Sequence, residues 1–161
     1  MGNHTVTLPT SPLINGQVKG KPKIQLSAGL VERIPLNQPL DVAIARTTVR
    51  QLADDVGYSL IDQLRISSAI FEIADHIVTC AGQGEIVIFW HEDNQHKGLK
   101  FFCNDQGLRA PKLADIFNNR NTARNETDMV SVTSSRKLVD TVEFTEDPKL
   151  GNCLNILIWL D

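Results

Sequence analysis

The sequence predicts an α+β fold: a two-layer sandwich with helices packed on one face of a mixed, mostly antiparallel sheet. Three observations carry that prediction. Residues 40–81 repeat apolar side chains at spacings of three and four, the period of amphipathic helices. Residues 85–91 and 99–103 flank a polar turn as a strand pair, and residues 141–145 and 153–160 do the same near the end. The resulting order is strand, two helices, strand pair, helix, strand pair.

A first strand is expected at 31–36, closed by Pro39. Helix one follows over 40–56, with Val42, Ala45, Val49, Leu52, Ala53 and Val56 on one side and Arg46, Arg50 and Asp54 on the other; Gly57 stops it. Ser59 is a natural N-cap for helix two, and Asp62 completes a capping-box-like pair before the run 64–81. Ile66, Ala69, Ile70, Ile73, Ala74, Ile77 and Val78 cover most of that helix, which places it between the sheet and its neighbour until Gly82 and Gly84 end it. In the next strand Ile86, Ile88 and Trp90 share one face, and a turn through Asn94 and Gly98 leads to its partner. A short helix is expected at 111–117, a polar loop at 118–128, helical structure at 130–139, and a closing hairpin turned at 148–152.

A chain of 161 residues suits one domain, and 42% hydrophobic with 22% charged residues is the composition of a folded protein. The longest apolar runs, 86–90 and 154–160, are strand-length, so no transmembrane segment and no membrane partner are expected. A formal charge of -3 offers no field for nucleic acid. Charge is nevertheless uneven. Residues 1–35 hold Lys19, Lys21, Lys23 and Arg33 against Glu32, and with four of the seven prolines they read as a mobile basic leader over 1–30 before a domain over 31–161. The start lacks the plan of a signal peptide, and Val6 stands where myristoylation wants Ser or Thr, so the cytoplasm is the expected compartment. Cys80, Cys103 and Cys153 are odd in number and set in apolar stretches, as buried reduced thiols are.

Several short stretches are carried in order along the chain: Gly57-Tyr58-Ser59-Leu60-Ile61-Asp62-Gln63, Phe71-Glu72-Ile73-Ala74-Asp75-His76, Ala81-Gly82-Gln83-Gly84-Glu85-Ile86 and Asn104-Asp105-Gln106-Gly107. Together they resemble the anti-sigma regulatory factors, serine-protein kinases with the histidine-kinase-type (GHKL) ATPase fold, and within them the stressosome switch-kinase branch. The likeness runs from about Arg33 to Trp159.

That resemblance implies a nucleotide site. A helix would present Glu as base and, four residues on, Asn as the oxygen ligand of Mg²⁺. Here Glu72 is kept, but the metal position is His76, and imidazole suits a hard cation poorly. The family's Asp-x-Gly-x-Gly, which receives adenine, is matched by Asp105 and Gly107, with Arg109 in place of the second glycine. The lid glycines that wrap the phosphates fall on Met129, Ser131 and Ser134, and the family's late Thr on Asn152-Cys153.

Four altered elements imply a non-catalytic regulator that binds proteins, a sigma factor or a STAS-domain antagonist, with no cofactor and as a homodimer by family analogy. The alternative is an ATP- and Mg²⁺-dependent serine kinase acting on a STAS-type antagonist, with Arg109 and Arg124 contacting phosphate. Two other readings stay open. Glu72 equally suits a structural ion pair with Arg65 or Arg109, and Glu72, His76 and Cys80 form a stripe that a transition metal could use. In the family partners dock on the side of helix one, which makes Arg46, Arg50 and Asp54 the candidate contacts.

Overall fold

The computed structural model describes residues 26–106, 139–147 and 151–160. Strand β1 (Gly29–Leu36) is followed by helices α1 (Pro39–Val56) and α2 (Leu60–His76), a π-helical turn (Ile77–Ala81), and strands β2 (Gly84–Glu92), β3 (Lys97–Asp105), β4 (Thr141–Asp147) and β5 (Gly151–Leu160). The strands form one sheet in the order β1-β2-β3-β5-β4, and every described pairing is antiparallel, where the sequence allowed a mixed sheet. The expected helices at 111–117 and 130–139 and the loop at 118–128 lie outside the described residues, except Val139, which is in no helix.

Alternation along the strands decides which face is covered. Ile34 and Leu36 of β1, Ile86, Ile88 and Trp90 of β2, Leu99, Phe101 and Cys103 of β3, and Leu154, Ile156 and Ile158 of β5 are buried in one core. The helices supply Val42, Ala45, Val49, Ala53 and Val56 from α1 and Ile66, Ile70, Ile73 and Ala74 from α2. Sheet plus two helices is therefore a two-layer sandwich.

Several boundaries move for local reasons. Pro39 does not close β1; it is the first residue of α1, where its missing N–H costs nothing. Asp41 Oδ2 accepts the N–H groups of Asn37 at 2.8 Å and Gln38 at 3.1 Å, capping that helix with a carboxylate. Gly57 takes φ 102° at the far end, a conformation that favours glycine. Ser59 caps α2 as expected, its Oγ accepting the Asp62 N–H at 3.2 Å and donating to Asp62 Oδ2 at 2.6 Å.

Tyr58, between the helices, reaches the sheet. Its hydroxyl accepts the Leu99 N–H at 2.9 Å and donates to the Ile158 carbonyl at 2.6 Å, so it stands between two residues that face each other across β3 and β5. Next to it Gly98 leaves room for the Ile158 carbonyl, which a Cβ would strike.

Candidate functional site

Of the predicted site residues, Asp105 ends β3 opposite Gly84 at the start of β2, and the turn that follows α2 packs on the same end of the sheet through Ile77. Helix α2 delivers Glu72 and His76 one turn apart; Glu72 is half-buried and His76 is 6% exposed. After His76 the helix widens into the π-helical turn, closed by the Gly82 N–H on the Ile77 carbonyl at 3.1 Å with Gly82 at φ 81°. Single π turns inside helices frequently mark functional sites. Here the turn carries Cys80, whose Sγ lies 3.5 Å from Nδ1 of His76. A Cβ on Gly84 would strike the Asn104 carbonyl and sit 2.6 Å from Cγ2 of Ile77, so glycine lets the turn press onto β2 and β3. The Gln106 N–H then bonds the Gln83 carbonyl at 3.1 Å and ties the two ends together.

Asp105 is the last residue of β3, paired with Gly84 on one side and Asn152 on the other, and is 2% exposed. Asn152 Nδ2 donates to both carboxylate oxygens, at 3.3 and 3.4 Å. Burial pushes the Asp105 carboxyl above its ordinary value, and the side-chain and backbone hydrogen bonds from Asn152 oppose that rise. Burial also raises the neighbouring Cys153 thiol, opposed by a hydrogen bond from Thr145 and reinforced by the Asp105 and Glu85 carboxylates. Cys103, fully buried, is raised further by burial. None of the three cysteines is in a disulfide.

The structure thus joins Asp105 to Asn152, two positions that the sequence treated separately, and sets them at the same sheet end as the turn after His76. Gly107, Arg109, Arg124, Met129, Ser131 and Ser134 lie outside the described residues. Arg65 pairs with Asp62 at 2.7 Å and Asp140 at 3.8 Å. The transition-metal stripe does not assemble: among the described residues no three His, Cys, Asp or Glu side chains are grouped to hold an ion.

The structure also brings together Arg46, Arg50 and Asp54, the charged residues of helix one that the sequence singled out. On the outer side of the helices a groove of about 600 Å³ is lined by Arg46, Arg50, Asp54, Gln63 and Phe71, with the Arg46 guanidinium 5.3 Å from the Phe71 ring centroid. Leu40, Ile44, Leu60, Ile61, Leu64 and Phe71 are exposed on the same two helices, although their spacing reads as ordinary amphipathic pattern. Only tertiary placement reveals that contact. None of the helices among the described residues is long and apolar enough to cross a membrane.

No family model matches the chain. Over 76 residues it is 38% identical to the serine/threonine-protein kinase RsbT of Bacillus subtilis (strain 168), a stretch covering 47% of this chain and 57% of that protein. The chain therefore matches little more than half the length of this relative. That similarity supports the resemblance to the switch-kinase branch carried by the motifs around Glu72 and Asp105.

Proposed function

We propose that this protein is a non-catalytic regulator of the anti-sigma and switch-kinase type, acting by binding other proteins in bacterial stress or sigma-factor signalling. One observation carries the reading: where the family holds Mg²⁺ through an asparagine oxygen, this chain has a buried imidazole whose Nδ1 is set against the Cys80 thiol. Mg²⁺ prefers oxygen and near-ideal octahedral geometry, so these residues do not fit it. Asp105 supports the same direction, since Asn152 Nδ2 already donates to both of its carboxylate oxygens, the acceptors that an adenine amino group would use.

The surface that would do the binding is the outer face of the helices. Arg46 and Arg50 line the groove there, on helices that also expose large apolar side chains. Reversing both to Glu should lower partner affinity at least tenfold, chiefly through slower association. Glu72→Ala should leave that affinity unchanged.

Retention of Glu72 and Asp105 favours a second reading, an ATP-dependent serine kinase acting on a STAS-type antagonist. A transfer assay with γ-labelled ATP, Mg²⁺ and a STAS-domain protein separates the two. The regulator reading expects no labelled acceptor; labelling that Glu72→Ala abolishes would replace it with the kinase. His76→Asn alone should not create transfer, because the other altered positions remain.

A further inference from the structure

The three cysteines stand in unlike surroundings. Cys103 is wholly buried in the core, and burial pushes its thiol far above the ordinary range. Cys153 is half-buried and also raised, with the Asp105 and Glu85 carboxylates adding to the effect of burial. A thiol that keeps its proton is a poor nucleophile, so both are set to be inert. Cys80 differs. It is half-buried in the π-helical turn, next to exposed Thr79, and its Sγ lies 3.5 Å from Nδ1 of His76, within hydrogen-bond range for sulfur.

The local fold builds this pair. Residues four apart share a helix face, and His76 closes the last turn of α2 with its ring 6% exposed. The turn that follows is held by the Gly82 N–H on the Ile77 carbonyl at 3.1 Å and by Ile77 packing onto Gly84. His76 suits neither Mg²⁺ nor a grouped metal site among the described residues, and its Nδ1 faces the Cys80 sulfur.

With the ring proton on Nε2, Nδ1 is a base. Taking the thiol proton gives a thiolate beside an imidazolium, a pair without net charge and so less costly to bury than either ion alone. The charged groups nearest the turn on the elements packed against it are Glu72 and Asp75 of α2, Glu85 of β2 and Asp105 of β3, all acidic. Carboxylates and the C-terminal end of a helix both favour the imidazolium and oppose a lone thiolate. The nucleophile therefore depends on His76.

We propose that Cys80 is a peroxide-reactive thiol whose proton is taken and held by His76. The thiolate Sγ attacks one oxygen of a hydroperoxide, the O–O bond breaks, and the leaving oxygen takes the proton from Nδ1 and departs as water or an alcohol. Sulfur is oxidised by two electrons to a sulfenic acid, and the peroxide is reduced by the same two. The pair is present whether or not the chain binds nucleotide, so this inference does not rest on the regulator reading, and its test involves no nucleotide.

The test uses the full chain, freed of reductant. Alkylation by iodoacetamide, in which an S–C bond forms and iodide leaves, is followed for each cysteine by mass spectrometry between pH 5 and pH 10. At pH 7 Cys80 should react at least tenfold faster than Cys153, with a midpoint below the ordinary thiol value of about 8.5. Cys103 should stay unlabelled, which gauges intact folding. In His76→Asn the Cys80 rate at pH 7 should fall at least tenfold and its midpoint rise to the ordinary value or above, while Cys153 is unchanged. Hydrogen peroxide followed by dimedone should leave an adduct on Cys80 in the parent protein and at least tenfold less in the variant. If the variant exposes Cys103, the comparison of Cys80 with Cys153 in the parent protein decides. Three results overturn the proposal: Cys80 no faster than Cys153 at pH 7, a Cys80 profile that His76→Asn leaves in place, or rapid alkylation with no dimedone adduct.

Discussion

The two ends of the sheet are built on opposite plans. At the end where β2 turns into β3, polar groups are matched: Tyr58 serves both Leu99 and Ile158, Trp90 Nε1 donates to Glu92 at 2.6 Å, and Asp93 Oδ1 accepts the N–H groups of Gln95 and His96 at 2.8 and 2.6 Å. Those bonds hold the Glu92 and Asp93 carboxyls below their ordinary values. At the other end burial acts in the opposite sense. It raises Asp105, sets the His76 imidazole against a thiol, and leaves Oδ1 of Asn104 buried with no hydrogen-bond partner among the described residues. The first end has the character of scaffold, while the second carries the polar compromises that proteins accept near sites.

This contrast can be broken at several points. The largest effect is expected from Tyr58→Phe at the matched end. Losing the hydroxyl strands a buried N–H and a buried carbonyl, at about 1–3 kcal/mol each, so a loss of about 2–6 kcal/mol should appear in urea unfolding. A change below 0.5 kcal/mol would mean that β3 and β5 simply close their ladder.

Gly84→Ala comes next. Its Cβ must displace the Asn104 carbonyl or Ile77, and overpacking of this kind costs about 1–3 kcal/mol. The amides of 77–83 should also exchange faster, while those of β2 near Trp90 stay protected.

A smaller effect, in pH dependence, is expected from Asp105→Asn. The folded carboxyl holds its proton at pH values where the unfolded one has lost it, so raising pH from the ordinary aspartate range through the folded value favours unfolding. The penalty is complete above that window and absent below it. Asp105→Asn should flatten this part of the stability curve relative to the parent protein. A variant that loses stability equally at pH 4 and pH 7 would mean that the carboxylate is a structural anchor.

How far the sequence reached follows from the range of the interactions. Helix one and helix two were legible because Val42 to Val56 and Ile66 to Ile77 repeat locally, and the β2–β3 pair because Ile86, Ile88 and Trp90 alternate. The π turn was not legible, since residues 77–81 have the same apolar pattern in either helix. Asp105 and Asn152 are 47 residues apart, so their bond needs the β3–β5 pairing to be known. At the site, the family resemblance pointed to Glu72 and His76, but neither the burial of His76 nor the Arg46–Phe71 contact has a local signature.

The central claim is that His76 and the altered positions around Asp105 leave no working nucleotide site. Titrating the full chain with ATP and excess Mg²⁺ by calorimetry, up to millimolar nucleotide, tests it most directly. No saturable heat is predicted. A saturable isotherm with a micromolar dissociation constant, lost in Asp105→Asn, would contradict the account.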